Sequence, residues 1–396
     1  MKSIFQSQTW LILSALCVVM LFTTRCKPVD EKIVPPPAIR TGWDDLLEDI
    51  MTLDDWTAKR EVLNQRFLEL IGDAAKPPSR PPLELRVHDS AIIDNTYILK
   101  LISYNVEPDQ RAWAYLASPL HLDKPAPAVV ALHGTGVEGK DVTAGFAERN
   151  PTHTQQAHLD HLARRGYIVI APDHFNMGQR LPPEGTYHTD ILYARHPGWS
   201  AMGKIVYDAS IAIDLLESLP MIDTSRIATL GHSLGGQSAI FLAAYDQRIS
   251  VAGSSDGSFT FRFNTAYMEL ARPSGQFSYF RNLREQLAAG YLPPIDVHEI
   301  IALIAPRPFL DIVALNDQYG GSPESHQQRV MMDLRLADLW KLSGAPEKFS
   351  FYVRGETHQF GYSSRELVYA WIDLHLQTPR AAPPPVLKKP LNMEQK

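Results

Sequence analysis

Apolar and polar positions follow one rhythm in the first third of the chain and another in the rest. Residues 43–71 carry Leu46, Leu47, Ile50, Met51, Leu53, Trp56, Val62, Leu63, Phe67, Leu68 and Leu70 at spacings of three and four. That spacing predicts one or two amphipathic helices, with Gly72 as the stop. Residues 76–82 (KPPSRPP) interrupt any regular element, because proline lacks the amide donor that helix and sheet require. Between 92 and 118 the alternation becomes strand-like, in 98–102 and 112–116, and predicts two antiparallel edge strands.

From residue 128 onward, short apolar runs at 128–132 (AVVAL), 167–171 (YIVIA), 226–230 (RIATL), 249–252, 308–315 (PFLDIVAL) and 349–353 alternate with helical patterns. The helical patterns fall at 153–165, 202–219, 234–245, 327–342 and 365–376. A strand with no polar face must be covered on both sides, so the alternation predicts an α/β fold: a mostly parallel central sheet with helices on both faces. Residues 258–300 break the rhythm and read as an insertion after the sixth predicted strand. The expected layout is a helical extension over 43–90, a catalytic domain over 91–380 and a proline-rich flexible tail over 381–396. No internal repeat is found.

The chain has 396 residues and a formal net charge of −6, so no basic surplus points to nucleic acid. Its two cysteines, Cys17 and Cys26, lie near the start, which leaves the body without a disulfide framework, a cysteine metal cage or a thiol nucleophile. Lys2 followed by the apolar run 10–22 reads as an export signal, since a bilayer span needs about 20 apolar residues. Cys26 is a candidate lipidated residue, although Arg25 stands where a lipoprotein signal uses a small residue. The leader (1–26) is thus expected to be cleaved, lipidated or retained as an anchor, with 27–42 as a proline-rich tether.

Gly231-His232-Ser233-Leu234-Gly235 sits between the strand RIATL and a helical pattern. A serine hydroxyl is a poor nucleophile unless exposed and paired with a base. A strand-turn-helix elbow gives the exposure, and flanking glycines are needed where the turn leaves no room for side chains. The helix start also aims free N–H groups at developing negative charge. Gly253-Ser254-Ser255-Asp256-Gly257 fits the same pattern, but no helical pattern follows it, so context selects Ser233.

With HGTG after one strand, APD after the next, GHSLGG, IAPRPFLDIVALND and GETHQF in this order, the chain resembles the α/β-hydrolase superfamily. Within it, the chain resembles the dienelactone-hydrolase and acetyl-xylan-esterase-like branch. The likeness spans residues 126–376 and implies a serine hydrolase with a Ser-His-acid triad.

Of fourteen histidines, His358 lies in the loop after the last strand, where the resemblance places the base. His298 and His326 read as helix-face or insertion residues, and His133 as a strand-end side chain bonding loop backbone. His232 is expected to orient the elbow, with substrate contact as the alternative. The acid is expected after the penultimate strand, in the chain order serine, acid, histidine, which selects Asp317 with Asp256 as competitor. Asp311, mid-strand, reads as a structural or solvent-facing carboxylate. The oxyanion hole is expected from the backbone N–H groups of Leu234 and of Thr135, or alternatively Gly136. Asp173, His174, Arg180 and Glu184 are candidates for lining the pocket. Phe259, Phe261, Phe263, Tyr267, Phe277, Tyr279 and Phe280 give the insertion an aromatic character suited to packing or to a substrate platform. No metal or nucleotide motif is present, and no cofactor is expected.

These residues predict an exported serine esterase acting on a small ester or an acylated carbohydrate, acetyl esters foremost. A prolyl-oligopeptidase-like peptidase and an idle surface binding protein are the competing readings. Nothing in the sequence speaks to oligomeric state.

Overall fold

The computed structural model describes residues 43–147, 156–263, 267–319 and 323–377. The expected leader, tether and tail lie outside these residues. Nine strands form one sheet in the order β1-β2-β3-β5-β4-β6-β7-β8-β9. β1 (Arg86–Ile93), β2 (Tyr97–Glu107) and β3 (Gln110–Pro119) form an antiparallel meander, and β3 pairs antiparallel with β5 (Ile168–Pro172). β4 (Ala126–Leu132), β5, β6 (Ile222–His232), β7 (Ile249–Ser255), β8 (Phe309–Ala314) and β9 (Phe349–Arg354) are mutually parallel.

The apolar runs are explained by two cores, one on each face. Along β4, Ala128, Val130 and Leu132 enter one core while Val129 and Ala131 enter the other, following the period of two of a strand. Helices Leu53–Ile71, Ala201–Glu217, Leu234–Tyr245, Val297–Ala302 and Pro323–Leu342 cover the first face. Helices His158–Ala163 and Tyr362–His375 cover the second. The chain passes from β4 to β5 on one side and returns across β4 to β6 on the other. That reversal opens a crevice at the carboxyl ends of β4 and β6, the place where open α/β sheets bind ligands.

The first long helix, Leu53–Ile71, ends at Gly72 as expected and begins at a cap inside the segment read as helical. Thr52 Oγ1 accepts from the Asp55 amide (3.2 Å) and Asp55 Oδ2 accepts from the Thr52 amide (2.8 Å), a reciprocal cap. Gly72, at φ 68°, terminates it in the left-handed region.

Two expectations change. β1 starts inside the segment read as purely helical extension, so three antiparallel strands stand where two were expected. Its first five residues are exposed and mostly polar, which hid it from a search for apolar alternation. The insertion therefore follows the seventh strand, and within it lie the short helices Tyr267–Leu270 and Arg284–Ala288. Among the described residues no helix is long and apolar enough to cross a membrane.

Candidate active site

Ser233 is the hinge between β6 and the helix Leu234–Tyr245, at φ 58° and ψ −124°. A non-glycine residue in this region is strained by about 1–3 kcal/mol and persists only where its surroundings hold it. Here its N–H donates to Ser255 O (2.9 Å) and its carbonyl accepts from the Gln237 amide (2.9 Å). The glycines on either side have no alternative. A Cβ on Gly235 would lie 2.2 Å from Leu132 O, and one on Gly231 would lie 2.3 Å from the Gly235 carbonyl carbon. Ser255, the competitor, is buried at the end of β7, with its hydroxyl 3.3 Å from His232 Nδ1 and 3.4 Å from Asp256 Oδ2.

His358 follows β9, and Asp317 follows β8. His358 Nδ1 lies 2.8 Å from Asp317 Oδ2, and the second carboxylate oxygen accepts from the Tyr319 amide (2.8 Å). Burial works to raise the Asp317 pKa, but the His358 bond and charge and the Tyr319 amide outweigh it, leaving the carboxyl below its usual value. The two loops are tied together, with Asn316 Nδ2 donating to Gly355 O (2.6 Å). The Tyr319 ring stands edge-on to His358 with centroids 4.9 Å apart. His232 lies beneath the base, buried, with ring centroids 4.7 Å apart. Its place under the elbow fits orientation and removes the alternative of substrate contact. Burial first, then the His358 and Arg354 charges, hold His232 neutral.

Asp256 is close to the same histidine but differently employed. Ligand-type atoms of His232, Asp256 and His358 all lie within 4.8 Å of one another. The Asp256 carboxylate, however, accepts from the Ala314 amide (2.8 Å) and from Arg354 Nη2, with Arg329 Nη2 at 4.0 Å. Two guanidinium groups at that carboxylate make the cluster a poor seat for a cation. Arg354 also donates to Thr357 O (3.1 Å), so it joins Asp256 to the loop that presents His358. Deeper still, Asp311 and Asp333 are fully buried near Arg329. Burial raises Asp311 to about 6, and burial together with the Asp311 charge raises Asp333 well above the carboxylate range. Asp311 is thus structural; its solvent-facing alternative is excluded by burial.

Gly134 approaches the elbow so closely that a Cβ on it would lie 3.5 Å from Ser233 Cβ. The loop after β4 therefore runs beside the nucleophile, and Leu234 begins the helix behind it. This loop is held from both ends by Asp173-His174, after β5. The His174 amide donates to His133 Nε2 (3.0 Å), which leaves the proton on His133 Nδ1 to donate to Gly134 O (2.8 Å). His174 Nε2 donates in turn to His133 O (3.0 Å). Asp173 accepts from the Lys140 amide (2.8 Å), from Lys140 Nζ (2.9 Å) and from the Gln179 amide (3.0 Å). Both residues are buried, and their hydrogen bonds hold the loop. His133 bonds loop backbone, as expected.

Arg180 pairs with Asp208 (2.6 Å), and Glu184 is exposed in its loop. His298 sits on helix Val297–Ala302 with Nε2 3.1 Å from Asp45 Oδ1, and His326 is buried on helix Pro323–Leu342. In the insertion, Phe261, Tyr279 and Phe280 enter the core, with Phe259, Phe263 and Phe277 packed against it. Phe259 also lies 6.4 Å from the His358 ring, and Tyr267 opens the helix Tyr267–Leu270. Arg354, Arg329 and Lys140 were not singled out from sequence. For Arg329 and Asp333 the available signal was a charge on the apolar stripe that also carries Met332, Leu336 and Trp340.

The family model described as "Glucuronyl esterase, fungi" matches residues 114–332. The chain is similar to "Putative hydrolase YtaP" of Bacillus subtilis (strain 168), 27% identical over 263 residues that cover 65% of this chain and 82% of that protein. Among solved structures it is similar to a glucuronoyl esterase from Solibacter usitatus, with TM-score 0.64, 20% identity, and 82% and 94% of the two chains covered. It is also similar to an acetyl xylan esterase from Paenibacillus sp. R4, with TM-score 0.51, 19% identity, and 86% and 96% covered. These structures share the α/β-hydrolase fold expected from the sequence.

Proposed function

The chain belongs to the glucuronyl esterase family and is a carboxylic ester hydrolase, and we propose that it cleaves carbohydrate esters through Ser233, His358 and Asp317. The observation that carries this reading is the His358 Nδ1–Asp317 Oδ2 contact of 2.8 Å beside an elbow that holds Ser233 at φ 58°. Asp317 keeps the proton of His358 on Nδ1, so Nε2 is the free lone pair. His358 Nε2 takes the Ser233 proton as Oγ attacks the ester carbonyl. The N–H groups of Leu234 and Thr135 stabilise the tetrahedral oxyanion, and neither has a backbone partner among the described residues. His358 then protonates the leaving alcohol, and water resolves the acyl-enzyme by the reverse sequence.

The family favours an ester of a uronic acid on the acyl side, and the acetyl ester read from sequence is the second candidate. The apolar run 10–22 supports export, with Cys26 as the candidate lipid attachment point and 27–42 as the tether whether the leader is cleaved, lipidated or retained. Turnover of a methyl uronate ester, acetylated xylan and a dipeptidyl anilide by the purified enzyme and by Ser233→Ala tests the reading. The uronate ester should be preferred, the anilide untouched and the variant inactive. Cleavage of the anilide alone would restore the peptidase alternative.

A further inference from the structure

A second concavity lies on the same edge of the sheet as Ser233 but above the antiparallel strands. It has a volume of about 310 Å³ and is walled by the start of β3, the loop after β5 and the helix Asp190–Arg195. β3 and β6 are separated in the sheet by β5 and β4. At about 4.8 Å per strand spacing, β3 lies roughly 14 Å across the sheet from β6. The loop after β5 serves both places. His174 faces the oxyanion loop, and Phe175 and Gln179 face this pocket.

The lining combines two kinds of surface. Phe175, Ile191 and Leu192 contribute apolar side chains, and Trp113, also in the lining, stacks on His88 at 4.3 Å. Polar arms converge on them. The side-chain amides of Gln110 and Gln179, and Nε and Nη2 of Arg180, have no hydrogen-bond partner among the described residues. Charge decides what such a pocket accepts. Its three cations, Arg111, Arg180 and Lys204, are each paired with a carboxylate: Arg111 with Glu84 (3.8 Å), Arg180 with Asp208 (2.6 Å) and Lys204 with Glu107 (2.7 Å). An anion would find little uncompensated positive charge. A ligand with apolar C–H faces and many uncharged hydroxyls would satisfy both the rings and the free amide and guanidinium edges.

We propose that this pocket is a second carbohydrate subsite, which holds an uncharged sugar ring of the chain whose ester is cleaved at Ser233. It rests on the esterase reading for the identity of that chain. The shared loop would let one oligosaccharide occupy both places.

Titration of Ser233→Ala with a neutral oligosaccharide of the polysaccharide backbone, followed by calorimetry, measures the subsite without catalysis. Adding Gln110→Ala and Gln179→Ala, which remove side chains with no internal bonds, should weaken binding about tenfold. In the otherwise wild-type enzyme the same pair should raise KM for an oligosaccharide ester and leave turnover of a small aryl ester unchanged. Unaltered affinity in the double variant would overturn the proposal, as would binding of a free uronate or sulfate in place of the neutral sugar. Loss of aryl-ester turnover in the double variant would also overturn it, whereas absence of ester turnover in the wild-type enzyme would count against the esterase reading, so the two failures are distinguishable.

Discussion

The site has an upper layer, Asp317 and His358, on the loops after β8 and β9, and a lower layer of Asp256, Arg354, Arg329, Asp311 and Asp333, drawn from the end of β7, from β8 and β9 and from the helix Pro323–Leu342. In the upper layer one carboxylate faces one imidazole, and the His358 side chain keeps 9% of its surface open to solvent. In the lower layer every acid is buried: Asp256 is held by the Ala314 amide and Arg354, and Asp311 and Asp333 lie together near Arg329, where burial favours their neutral forms. A proton can be exchanged where a charge change is balanced by solvent and a single partner. Where charges are fixed by several partners, the same residue type serves only to hold shape. Two aspartates within reach of one histidine therefore have different work, and proximity alone does not choose the acid.

The largest expected effect separates the layers through their carboxylates. Asp317→Asn should lower turnover by up to ~10⁴ with little change in melting temperature, because it removes the acceptor that fixes the His358 tautomer. Turnover and thermal denaturation of the variant check both halves of that statement. Asp256→Asn should show the reverse pattern. Leaving Arg354 without its buried partner costs about 3–5 kcal/mol of stability. At a temperature where the variant is folded, its turnover should fall far less than that of Asp317→Asn.

Acid should act on the buried region before it dissolves the fold elsewhere. His158 Nδ1 and His161 Nδ1 both bond the Tyr369 hydroxyl at 3.0 Å, and burial is the main cause that lowers them to about 3 and about 2. A histidine that stays neutral when folded but binds a proton at its ordinary value when unfolded loses stability as pH falls below about 6.5. At pH 4.5 both are still neutral in the fold, so each contributes a loss of up to about 2.7 kcal/mol. Urea denaturation between pH 7 and pH 4.5 should show this decline, and His158→Gln should make it shallower. A smaller effect is expected at the loop clamp. His174→Ala should lower kcat about tenfold to a hundredfold with KM nearly unchanged, while His174→Gln, which keeps a donor near Nε2, should recover part of the loss.

The parallel strands were legible because each is an apolar run bounded by turn residues, and the elbow because glycines, serine and the following helix coincide within a few positions. β1 was not, since Arg86-Val87-His88-Asp89-Ser90 is exposed and carries no apolar alternation. His358 and Asp317 were chosen from loop positions, and the structure brings them together. The lower layer was invisible for a physical reason. Arg354 ends an apolar strand and Arg329 lies on a helix stripe, and nothing local says that both turn inward upon Asp256. The role of Asp173 and His174 was open in the sequence for the same reason, because a polar pair after a strand looks alike whether it meets substrate or backbone.

The central claim is that Ser233 is the nucleophile, and covalent labelling tests it most directly. Treatment with a fluorophosphonate followed by peptide mass mapping should place one adduct on Ser233, and Ser233→Ala should lose both adduct and ester turnover. An adduct on Ser255, or ester turnover that survives Ser233→Ala, would contradict the account.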